Sequence, residues 1–219
     1  MDIGGSIEVF QDVSFRYPRE NSPTLRTNLK DKANPPWQLD PEWEEEIKNR
    51  TDDDTEIIAF SRESIDEAGP SYLCLWNDTY MDWRIPNVVP KDFGNRFTIC
   101  QYNDILNDFV EFVLSPVLMS LDTEIAITPR RLNLQDMMSK ESINLLQAFL
   151  SFGDGGVSVM HPNDEQRLCK FIWSLHEHDQ GFDADLFRRW LVEANSWPRE
   201  HASNLATRVD QGLTLLKSR

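Results

Sequence analysis

Positive charge is scarce in this chain. Its 219 residues carry 22 Lys and Arg against 37 Asp and Glu, a net charge of −15. Such a field repels phosphate backbones, so direct nucleic-acid binding is not expected. A basic protein surface is attracted and steered by it instead; the plainer alternative is that the acidity only keeps the protein dispersed. Cysteine is equally sparse, at positions 74, 100 and 169. The number is odd and no C-x-x-C occurs, which argues against a disulfide framework or a zinc cluster. Reduced thiols of a cytoplasmic protein, all three packed as small buried hydrophobes, are the expectation.

Long apolar runs are missing too. The most apolar stretch, residues 109–121, is interrupted by Glu111 and Pro116 and is too short to span a bilayer. The opening Met1-Asp2-Ile3-Gly4-Gly5 has neither the basic nor the apolar region of a secretory signal. No membrane partner is expected.

Catalytic and ligand motifs are absent where they would be sought. Neither G-x-S-x-G nor S-x-x-K occurs. Gly153-Asp154-Gly155-Gly156 follows a helical pattern and lacks a closing Lys-Ser/Thr, so it reads as a helix stop rather than a phosphate loop. In Asp52-Asp53-Asp54-Thr55-Glu56 the sixth position of a calcium loop would be Ile57, where glycine is required. His176 and His178 are two residues apart, about 200° around a helix, and cannot chelate one ion together. These gaps disfavour an enzyme and leave no cofactor or metal to expect.

What is present is a change of period along the chain. Ile7, Val9, Val13, Phe15 and Tyr17 alternate with more polar residues and predict one strand ended by Pro18, with Phe10-Gln11 breaking the pattern. Residues 18–40, rich in Pro, Asn and Lys, read as an irregular surface segment. Asp40-Pro41-Glu42 is a helix start, with Asp as cap and Pro at the first position. Strands are predicted over 55–60, over 72–76 and 79–83 as a hairpin, over 96–102, and briefly over 124–128. Ile105, Leu106, Phe109, Val110, Phe112 and Val113 follow helical spacing, with Asn103 as cap and Pro116 as terminator. From Ser139 onward every pattern is helical, giving about four helices. Asn163 with Gln166 forms a capping-box pair, Asp183 caps the third helix and Pro198 opens the fourth.

The fold class is therefore α+β, a mostly antiparallel N-terminal sheet with one or two helices followed by a C-terminal helical bundle. The division falls into an acidic strand-rich region, 1–130, and a helical region, 131–219, packed on the first as one compact unit. Residues 160–219 are nearly neutral, with nine acids and eight bases, so the front of the chain holds almost all the net charge.

Acids concentrate between Asp40 and Glu67, where twelve face only three bases. Trp37 and Trp43 flank the start of that tract. An acidic rim around an aromatic anchor suits recognition of a basic protein surface. Trp37, Trp43, Glu44, Glu45, Glu46, Asp52, Asp53 and Asp54 are the candidate partner-binding residues; core packing is the competing reading for both tryptophans, and the favoured one for Trp76 and Trp83. A non-enzymatic inhibitor or immunity-type protein that masks a basic surface, such as that of a toxin, follows from these features. Two alternatives stand beside it. One is a carboxylate- or metal-dependent hydrolase or transferase, built on Asp78 and Asp82 with Glu63, Asp66 or Glu67. The other is an adaptor docking through C-terminal helices that carry Trp173, Trp190 and Trp197.

Overall fold

The computed structural model describes residues 4–51, 55–63, 69–77, 79–151 and 162–218. The chain is α+β, and its contacts divide it into two compact units: Val9–Arg130, and residues 1–8 together with Arg131–Arg219.

In the first unit seven strands form one antiparallel sheet. They are β2 (Val13–Arg16), β3 (Trp37–Leu39), β4 (Glu56–Arg62), β5 (Ser71–Asn77), β6 (Asp82–Ile85), β7 (Val88–Pro90) and β8 (Ile125–Ile127), in the order β3-β4-β5-β6-β2-β8. Strand β5 pairs with β4 along its whole length. On its other side it pairs with β7 at its start, Tyr72 opposite Val89, and with β6 at its end, Asn77 opposite Trp83.

Alternation sends the side chains of this sheet to two faces. Ile58, Phe60, Leu73, Leu75 and Trp83 join the main core, under α1 (Ser22–Lys32) and the long helical stretch from Ile99 to Ser120. Ile57, Ala59 and Cys74 point the other way, where Trp43 and Ile47 of α2 (Pro41–Lys48) pack against them with Trp76.

Four expectations change here. Residues 18–40 are not irregular: α1 forms because Leu25 and Leu29, one turn apart and both fully buried, suffice to dock it. The strand expected over 96–102 is instead the start of α3 (Ile99–Phe109). Thr98 accepts from the Gln101 N–H, and the Gln101 side chain accepts from the Thr98 N–H, a closed capping box. Asn103 is consequently not a cap. It lies buried in mid-helix, donating from Nδ2 to the Val9 carbonyl and accepting from the Gln11 N–H. Pro116, finally, does not end the helix. A five-residue π-helical stretch, Val110–Leu114, leads into α4 (Ser115–Ser120), with the proline in the first turn after the wider coil.

The second unit holds β1 (Ser6–Glu8) paired antiparallel with β9 (Arg131–Asn133), then α5 (Leu134–Met137), α6 (Lys140–Leu150), α7 (Pro162–His178), α8 (Ala184–Glu193) and α9 (Arg199–Lys217). The single strand expected over 7–17 is thus two strands in two sheets. Its break at Phe10-Gln11 is where Asn103 replaces a neighbouring strand as hydrogen-bond partner. Gly5 adopts a φ of +104° with Ala194 beside it, a position where a side chain would meet the Ala194 Cβ at 3.0 Å. Asp183 caps α8 and α9 begins after Pro198, as the sequence indicates. No helix among the described residues is long and apolar enough to cross a membrane.

Candidate functional site

The acidic tract enters the first unit through Asp40. Its side chain accepts from the Trp43 N–H at 3.0 Å, and its own N–H donates to the Ala59 carbonyl at 2.9 Å. The cap and the strand together fix the first turn of α2, and Trp43 leaves that turn toward the sheet. There it stacks on Tyr72 of β5, with ring centroids 4.6 Å apart and planes at 19°. Phe93, from the turn after β7, completes a three-ring cluster at 5.9 Å from Trp43 and 6.4 Å from Tyr72. Phe93 is 66% exposed and the other two rings are half-buried, so the cluster presents aromatic surface to solvent.

Carboxylates neighbour its rings along the chain. Glu42 precedes Trp43, Glu46 follows one turn later, and Asp92 adjoins Phe93; all three are exposed. Glu63, at the end of β4, accepts from Lys91 Nζ at 2.8 Å, and that ammonium lies 5.3 Å from the centre of the Tyr72 ring. Asp92 is tied into its own turn, accepting from the Gly94 N–H and from Asn95.

The residues expected to bind a partner do not all meet here. Trp43 lies in the cluster, and Glu45 and Glu46 stand exposed on α2, Glu46 paired with Arg50. Trp37 is 1% exposed, in the main core on the opposite face of the sheet, donating from Nε1 to Asp108 at 2.6 Å. It is a core anchor and offers a partner no surface, because the strand β3 turns its ring toward Phe109. Glu44 is also internal. Its side chain, 12% exposed, receives two hydrogen bonds from Arg26 and one from Lys48. Burial opposes its ionisation, but the bonds and charges of Arg26 and Lys48 outweigh that and hold its carboxyl below the usual glutamate range. Asp52, Asp53 and Asp54 lie outside the described residues.

Tyr72, Lys91 and Phe93 were not legible as site residues. Tyr72 belongs to an apolar run in which only the alternation with Leu73 and Leu75 assigns it to the second face. Phe93 sits in a four-residue turn with no pattern around it.

Cysteines depart from expectation as well. Cys74 is buried, which pushes its thiol up to about 12, but Cys100 and Cys169 are exposed. Cys100 is at the start of α3 rather than in a strand, its Sγ accepting from Arg130 beside Asp104. Of the carboxylates proposed for metal chemistry, Asp82 pairs with Arg16 and Glu63 with Lys91, while Asp66, Glu67 and Asp78 lie outside the described residues. No group of three or more His, Cys, Asp or Glu is placed to hold a metal among the described residues.

In the second unit, Trp190 is fully buried and so is not a docking residue, whereas Trp173 is 51% exposed beside a groove lined by Leu145 and Cys169. Ser139 caps α6, accepting from the Ser142 N–H, and Asp179 supports that cap by accepting from the Ser139 N–H and from Ser142 Oγ. No protein-family model matches the chain, and no curated protein or solved structure shows significant similarity to it.

Proposed function

We propose that this chain is a binding protein that docks a basic segment of a partner protein on the surface formed by α2, the end of β4 and the turn after β7. An inhibitor or immunity-type role, masking a basic functional surface of a toxin-like partner, is the biological form this takes. The observation that carries it is the solvent-facing Trp43–Tyr72–Phe93 cluster set among exposed carboxylates. Exposed aromatics supply contact area at small entropic cost, and carboxylates around them steer and pair with Lys and Arg. The exposed carboxylates Glu42, Glu45, Glu46, Glu63 and Asp92 give the surface a charge that favours basic partners over neutral ones.

Affinity capture from native extract tests the reading. The wild-type chain retains a basic protein at low salt and releases it at high salt. A Phe93→Ala/Glu45→Lys/Glu46→Lys variant, altered only at exposed positions, retains it poorly. Equal retention by the variant, or no basic protein retained by either, contradicts the proposal.

A further inference from the structure

The aromatic cluster already holds one cation, and that cation is the chain's own. Lys91 Nζ lies 2.8 Å from Glu63 Oε1 and 5.3 Å from the centre of the Tyr72 ring. Its side chain is only 23% exposed, so the ammonium is laid along the surface rather than extended into water. The backbone directs it there: Tyr72 pairs with Val89 and Ser71 with Pro90 in the β5–β7 ladder, and the Lys91 N–H donates to the Pro70 carbonyl at 3.0 Å. A ring face with a carboxylate beside it is the pairing that binds ammonium and guanidinium groups through cation–π and ionic attraction together.

We infer that Lys91 is an internal placeholder for a lysine or arginine side chain of the partner, and that binding exchanges one cation for the other on Tyr72 and Glu63. This rests on the docking surface proposed above and adds which chemical group the surface reads and where. An arginine of the partner is the better occupant, since its planar guanidinium stacks on the ring while its N–H groups reach the carboxylate. Lys91 offers a single point charge in the same place. The exposed Glu63 carboxylate, 66% accessible, is free to follow the incoming group. Lys91 thereby lowers affinity for weakly basic segments and leaves strongly basic ones able to displace it, which is a gain in selectivity.

Titration of the full chain with a nona-arginine peptide, read by tryptophan fluorescence, tests the exchange. Lys91→Met removes the resident cation and keeps the length of the side chain. Lys30→Met, on the exposed side of α1, makes the same change in net charge away from the cluster. Lys91→Arg keeps a cation in place. Lys91→Met is expected to bind the peptide about fivefold more tightly than wild type, with Lys91→Arg close to wild type and Lys30→Met changed by less than about twofold. If Lys91→Met binds no more tightly than wild type, or if Lys30→Met tightens as much, the placeholder role is overturned and the docking surface stands. If no variant binds the peptide, the docking surface itself falls and the placeholder with it.

Discussion

Glu44 shows how one carboxylate in an acidic tract is taken out of the pool available to a partner. It bridges α1 and α2 through Arg26, which also donates to the Ile57 carbonyl and lies 3.5 Å from Glu56. Its carboxyl is held below the ordinary 4.5, so the bridge stabilises the fold at pH values above that, and the contribution is lost as pH falls through the depressed folded value. Glu44→Gln is expected to cost about 1.5 kcal/mol near neutrality. The deficit relative to wild type, measured by urea unfolding across pH, shrinks as the pH drops below 4.5. A deficit that stays constant down to pH ~3 contradicts the assignment. Asp108 does comparable work inside the core. It accepts from Trp37 and lies 3.6 Å from the buried Arg62, which explains why an arginine is tolerated at a strand position facing aromatic rings.

Among the elements, α2 is the one that makes the surface. Eight residues do not form a stable helix in water by themselves, so its persistence depends on the Asp40 cap, the Arg26–Glu44 bridge and the packing of Trp43 and Ile47 on the sheet. Asp40→Ala removes the cap and is expected to lower stability by about 1 kcal/mol. It also loosens Trp43 from Tyr72, which a red-shifted tryptophan emission reports; unchanged stability and emission contradict this role for the cap. This helix was legible because Asp-Pro-Glu is a strong local start signal. Others were not. The capping box Thr98–Gln101 stands in the sequence, but Ile99 and Cys100 beside it also suit a strand, and the pattern alone does not choose. Asn103 reads as a helix cap by type, yet its amide is used at long range on Val9 and Gln11, a contact ninety or more residues away that no local rule can supply. Pro116 reads as a helix end because a proline interrupts an α-helical ladder, and the preceding π-helical stretch is a tertiary solution invisible to spacing. The site divided in the same way. Trp43 and the exposed acids of α2 were read from composition, whereas Trp37 looked equivalent to Trp43 until β3 and α2 placed them on opposite faces of one sheet.

At the scale of the whole molecule, the net charge of −15 is the excess of acids over bases. Acids matched to bases, as in Arg26–Glu44, Arg130–Asp104 and Arg208–Glu165, cancel and add nothing to it. The remainder is concentrated on the front of the chain, where it accompanies the aromatic cluster. Long-range attraction from such a surface acts on the rate of encounter more than on the lifetime of the complex, and it is screened by salt within about 10 Å at 0.1 M.

The association rate of the purified chain with its captured basic partner, measured across ionic strength, therefore tests the central claim most directly. Wild type is compared with a Glu42→Lys/Glu45→Lys/Glu46→Lys variant, whose changes fall on exposed positions of α2 and spare Glu44. The account predicts that the wild-type rate at low salt exceeds the variant's by about tenfold or more, and that it falls steeply as salt is added while the variant's rate stays nearly flat. Equal rates with the same salt dependence would mean that the acidic face of α2 does not meet the partner, and would contradict the account.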